Sequence, residues 1–79
     1  MNEKRFLEIV KSLLNDNTEI SLVTELENIE EWDSLTRIKF MVMLSQEYGV
    51  SLPRFDVAEA ETIGDLYELV KENSWGSQW

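Results

Sequence analysis

The sequence predicts an all-α fold: a small four-helix bundle with three main helices, one short helix and a long first loop. Three observations predict it. Apolar residues recur at helical spacing in separate segments. Residues with capping chemistry stand at the ends of those segments. The single proline, Pro53, and the three glycines punctuate the chain rather than build linkers. A chain of 79 residues has room for one small domain. Residues 1–72 are read as that domain and 73–79 as a flexible tail that holds Trp75 and Trp79.

The first helix is predicted from about Asn2 to Asn15. Phe6, Ile9, Val10, Leu13 and Leu14 fall at i, i+3, i+4, i+7 and i+8 and form one apolar stripe. Glu3 in the first turn and Lys11 near the end suit the helix dipole. Asp16, Asn17 and Thr18 read as a helix stop and a turn. Residues 16–32 have no clean period, yet Ile20, Leu22, Val23, Leu26, Ile29 and Trp32 are apolar. A loop this long in so small a domain is expected to be packed down by its own side chains or to carry function.

The second helix is predicted to begin at Asp33 or Ser34, both capping residue types, and to run to about Tyr48, where Gly49 closes it. Wound as a helix, residues 35–48 carry two apolar stripes. Phe40, Met41, Leu44 and Tyr48 form one. Leu35, Ile38 and Val42 form the other, although a surface helix of a small bundle needs only one. Packing of a central helix against several neighbours accounts for the second stripe. An exposed docking face is the sharper reading, and both hold if Ile38 lies inside with Leu35 and Val42 outside. One or two helical turns are expected around Phe55 to Ala60. Thr62 is the expected N-cap of the last helix, with Asp65 in its first turn. Ile63, Leu66, Tyr67 and Val70 face inward there, flanked by Leu69.

Composition excludes several classes. With 43% apolar residues the chain is not of the disordered type. It has no cysteine and no histidine, which removes disulfides, thiolate metal sites, a cysteine nucleophile and the commonest general base. Seven basic residues against sixteen acidic ones give a net charge of −9, which opposes binding to nucleic acid or anionic lipid. Clustered carboxylates repel one another, so added salt or divalent cations are expected to stabilise the fold. A calcium loop fails on inspection. Asp16, Thr18 and Glu27 fit positions 1, 3 and 12, but Ile20 fills position 5 and Ser21 replaces the glycine of position 6. No secretory pattern follows Met1, and the longest apolar run, Phe40 to Leu44, is too short to span a membrane. The expectation is a cytoplasmic, soluble, monomeric protein, and not an enzyme.

Asp33-Ser34-Leu35 stands at the start of the second helix, after the long loop. An Ile38-x-Phe40-x-x-x-Leu44 helix follows and ends in Glu47-Tyr48-Gly49-Val50. Ser51-Leu52-Pro53 and Thr62-Ile63-Gly64-Asp65-Leu66 come next. On these residues, over positions 3–72, the chain resembles the acyl carrier and peptidyl carrier protein family. The resemblance implies that Ser34 is the attachment point of 4′-phosphopantetheine, derived from coenzyme A. Asp33 would serve recognition by the phosphopantetheinyl transferase, or the cap of the helix. The arm's thiol would hold acyl or aminoacyl groups as thioesters for a loading enzyme and a downstream synthase or transferase. The protein would raise the intermediate's effective concentration and catalyse nothing itself. A helix N-terminus suits the phosphodiester, because its unpaired N–H groups and positive dipole end favour an anion. Trp32 is expected to pack the loop onto the bundle.

The chain departs from the fatty-acid subgroup, whose second helix is acidic. Here that helix carries Arg37 and Lys39, and between Ser34 and Tyr48 only Glu47 is acidic. Arg37 is four residues from Asp33 and is expected to pair weakly with it. Glu25, Glu27, Glu30, Glu31 and Asp33 place the acidity upstream, as a solvated loop or a docking surface. Leu35, Arg37, Lys39 and Val42 are the expected partner contacts. The pattern points away from bulk fatty-acid synthesis, toward polyketide, hybrid peptide–polyketide, or lipid- or sugar-modifying pathways. The length reads as a discrete carrier. An acidic helical adaptor without a prosthetic group is the rival reading.

Overall fold

A computed structural model describes residues 2–14 and 19–73. Four helices follow one another: α1 (Glu3–Leu13), α2 (Ser34–Tyr48), α3 (Arg54–Glu59) and α4 (Ile63–Glu72), with a 3-10 turn at Leu26–Asn28 between α1 and α2. The predicted four-helix bundle is what forms. Among the described residues no helix is long and apolar enough to cross a membrane.

Asn2 caps α1, its side-chain oxygen accepting the Arg5 amide at 2.8 Å. Phe6, Ile9 and Val10 are buried, whereas Leu13 and Leu14 are half-buried. The helix ends earlier than its apolar pattern predicts. Leu14 turns extended, and its amide closes a short bond to the Lys11 carbonyl. The turn expected at Asp16-Asn17-Thr18 lies outside the described residues.

The core is built around Phe40 of α2. Phe6 meets it edge-on, with ring centroids 6.0 Å apart, and Trp32 does so at 5.7 Å. Tyr67 of α4 lies 5.1 Å from Phe6. Leu44, Val50, Val57, Ile63, Leu66 and Val70 complete the buried cluster. Each such side chain stabilises the fold by about 1.5–3 kcal/mol relative to exposure. The tip of α2 meets the start of α1 where Arg5 donates from Nη2 to the Tyr48 hydroxyl at 3.4 Å, so α1 and α2 run antiparallel. Tyr48 is therefore at the surface, because it lies on the last turn beyond the buried Leu44. Gly49 ends the helix in the left-handed conformation at φ 65°, which an L side chain rarely adopts.

The long first loop is tied down, as expected, but by its backbone as much as by its side chains. Leu26 and Ile29 are buried and Ile20, Leu22 and Trp32 half-buried, while Val23, expected to pack, is exposed. The segment pairs with the start of α4. The Leu26 amide donates to the Glu61 carbonyl at 2.8 Å, Ile63 to Thr24 at 3.0 Å, and Gly64 to Leu22 at 2.7 Å. The first amides of α4 would otherwise lack partners. Thr62 and Asp65 add a reciprocal capping box, as the sequence led one to expect of Thr62. Two segments far apart in sequence are thereby fastened side by side, and the loop leads from this clamp to the start of α2.

Candidate functional site

The candidate site is the N-terminus of α2. Glu31, Trp32 and Asp33 arrive there from the 3-10 turn, with the Trp32 amide bonded to the Ile29 carbonyl at 3.1 Å and the Asp33 amide to the Glu31 carbonyl at 3.0 Å. Trp32 is half-buried against Phe40, which packs the loop onto the bundle. The backbone entering α2 is thus positioned by a core contact.

Asp33 is the N-cap. Its Oδ1 accepts the Thr36 amide at 2.8 Å. Hydrogen bonds from Thr36, first its amide and then its side chain, hold the Asp33 carboxyl below its ordinary value. The cap is therefore a carboxylate across the neutral range and complements the helix dipole. It also relieves Ser34 of that duty. Ser34 is the first helical residue and is exposed, and among the described residues its hydroxyl makes no hydrogen bond.

Around Ser34 the second apolar stripe is uncovered. Leu35 is 60% exposed, Ile38 54% and Val42 45%. Neither the packing of this stripe against neighbours nor an inward Ile38 holds. Phe40 and Leu44 alone are buried on α2, because α1 and the loop cover only one side of it. Ile38 is one helical turn after Ser34 and four residues before Val42, so all three line one outward strip. Sequence reasoning put Ile38 in this stripe but not among the expected partner contacts, although its spacing from Ser34 was an available signal.

Of the basic pair, Lys39 is exposed and stands one turn after Leu35. Arg37 is half-buried and sits about 160° around the helix from Leu35, on the side that faces the core. Leu35, Lys39 and Val42 are brought together, and Arg37 is not among them. The expected Arg37–Asp33 pair does not form. Among the described residues the recorded ion pair joins Arg5 and Glu8 at 3.5 Å, while the Asp33 carboxylate is turned to Thr36. The acidic loop divides. Glu25 takes part in the bridge to Thr62 and accepts from Asn28 at 3.0 Å, whereas Glu27 and Glu30 stay exposed. Trp75 and Trp79 lie outside the described residues.

The start of α2 thus presents an exposed hydroxyl on its first residue, beside a capping carboxylate and an open apolar strip. The family described as "Phosphopantetheine attachment site" matches residues 4–70. The acyl carrier protein of Lactobacillus acidophilus is 26% identical over 78 residues, covering 92% of this chain and 98% of that one. That of Rickettsia canadensis is 29% identical over 72 residues, covering 89% and 83%. The solution structure of holo acyl carrier protein from Geobacter metallireducens superposes with a TM-score of 0.75 at 22% identity, over 89% of this chain and 82% of that one.

Proposed function

The chain belongs to the phosphopantetheine attachment site family, and from that premise we propose that Ser34 is the residue that carries its 4′-phosphopantetheine arm. Acyl carrier function through such an arm is the coarse activity of the chain. The observation that supports Ser34 is its geometry: an exposed hydroxyl, free of the capping role that Asp33 fills, at the positive end of a 15-residue helix. The opening amides of α2 favour an anion there, offsetting the neighbouring Asp33 carboxylate, which itself takes the Thr36 amide. The arm supplies a terminal thiol, which holds acyl or aminoacyl groups as thioesters.

The chain's own residues do the holding and presenting. Ser34 Oγ would hold the arm as a phosphodiester, its proton and the 3′,5′-adenosine bisphosphate of coenzyme A being released on the transferase. Asp33 fixes the start of α2 and offers the transferase a carboxylate. Leu35, Lys39 and Val42 meet partner enzymes, with Arg37 at the far edge. The cargo pathway is a specialised one: polyketide, hybrid peptide–polyketide, or lipid or sugar modification. What supports this is the scarcity of acidic residues on α2 before Glu47.

Intact-protein mass tests the reading. The chain and its Ser34→Ala variant are incubated with coenzyme A, magnesium and a broad-specificity phosphopantetheinyl transferase. The expected result is one added phosphopantetheine on the wild type alone. An unmodified wild type, in a reaction that loads a control carrier, would return the chain to the adaptor reading.

A further inference from the structure

Of the side chains that lead into α2, Glu27, Asn28, Glu30 and Asp33 are exposed, Ile29 is buried, and Trp32 is half-buried against the core. Trp32 is therefore the last core contact before Ser34. Its backbone is pinned as well. The Trp32 amide donates to the carbonyl of the buried Ile29 at 3.1 Å. The Asp33 amide donates to the Glu31 carbonyl at 3.0 Å, so Trp32 is the middle residue of a three-residue turn.

A hydrophobic residue one place before an N-cap ordinarily packs against the fourth residue of the helix and fixes the angle at which the chain enters. In α2 that fourth residue is Arg37, a half-buried cation. Trp32 meets Phe40 instead, three residues further on, edge to face at 5.7 Å. Phe40 is fully buried against Phe6 of α1 and lies about 120° around the helix from Ser34. The chain thus crosses from the covered side of α2 at Trp32 to the exposed Ser34 within two residues. With so short a crossing, a shift of the indole moves the hydroxyl. Trp32 is not among the fully buried side chains that make the core, so its ring contributes placement more than cohesion.

We infer that Trp32 is a positioning residue for attachment of the arm. Held against Phe40, it sets the direction in which Ser34 Oγ leaves the surface, and it acts through the Asp33 backbone rather than on the reacting atoms. This rests on the reading of Ser34 as the attachment point. The exposed side chains of α2, which a transferase meets first, stay as they are when Trp32 is changed. The loss therefore falls on turnover rather than on recognition.

Steady-state arm attachment tests it, with the apo chain varied, coenzyme A saturating and a broad-specificity transferase. Trp32→Ala is expected to lower kcat roughly tenfold or more, with KM within about twofold of the wild type. Trp32→Phe keeps an aromatic ring for Phe40 and should recover most of that loss. Trp32→Leu keeps apolar bulk without a ring and should recover less. Val57→Ala weakens the core from α3, controls for stability, and should load with the wild-type kcat. Circular dichroism checks that each variant is folded, and if Trp32→Ala is not, the comparison of Trp32→Leu with Trp32→Phe decides. The inference is overturned if folded Trp32→Ala or Trp32→Leu keeps the wild-type kcat, if KM alone rises, or if Val57→Ala slows attachment as much. A wild type left unloaded by an enzyme that loads a control carrier, or loading that survives Ser34→Ala, would instead sink the Ser34 reading, and the inference with it.

Discussion

The Asp33 carboxylate accepts the Thr36 amide at 2.8 Å, immediately before the exposed Ser34 hydroxyl. One residue caps the helix so that the next can present its oxygen to solvent. Two roles of Asp33 can therefore be separated. Asp33→Ala removes the cap and should lower the melting temperature by a few degrees. Asp33→Asn keeps a capping oxygen and should melt near the wild type. If the transferase reads the carboxylate, both variants should load slowly. Equal loading of Asp33→Asn and wild type would leave Asp33 as a cap alone.

The same carboxyl predicts a pH dependence. Its folded-state pKa lies below its ordinary value because Thr36 donates to it. A depressed carboxyl contributes stability that is fully present above the unfolded value, about 3.9, and is lost as pH falls through the lower folded value. Wild type should lose stability relative to Asp33→Asn only in that acidic window. Thermal melts of both proteins between neutral pH and pH 2 would test it, and parallel curves would refute it.

Gly64 is where the loop and α4 approach most closely. A methyl group there would meet the Leu22 carbonyl oxygen at 2.8 Å, closer than a Cβ contact ordinarily comes. Gly64→Ala must push that backbone away and should destabilise the domain by about 1–3 kcal/mol. Urea unfolding would show the midpoint falling, and hydrogen exchange should quicken at the amides of Leu26, Ile63 and Gly64. An unshifted midpoint would mean that the clamp adjusts freely.

Phe40 lies at 0% exposure between Phe6 and Trp32. Phe40→Ala should cost about 3–5 kcal/mol, most of the stability of a domain this small. Loss of cooperative melting at room temperature is the expected outcome.

Net charge makes a last prediction. With nine more acidic than basic residues, self-repulsion opposes the compact state, and raising the ionic strength should raise the melting temperature. A melting temperature that falls with sodium chloride would count against it.

Much of this was legible in the residues, for physical reasons. The stripe at Phe6, Ile9 and Val10, the cap at Thr62 and the stop at Gly49 are local signals, read from spacing and side-chain chemistry. The pairing of Leu22–Leu26 with Glu61–Gly64 was not legible, because its donors and acceptors are main-chain atoms that every residue but proline carries. A helical wheel shows that α2 has two apolar sides but not which one the rest of the chain covers. That is why Ile38 was misplaced. Similarly, helical winding sets Arg37 and Lys39 about 160° apart, and packing decides which of the two faces the core.

The clamp also carries an entropic cost. Its bonded amides and carbonyls are roughly 40 residues apart in the chain, so making it closes a large loop. Thr62 caps the Asp65 amide locally, but the amides of Ile63 and Gly64 find their acceptors only in the distant Leu22–Thr24 segment. The segment leading into Ser34 is therefore held by a non-local contact, and what positions the serine is set as much by chain closure as by the helix that begins there.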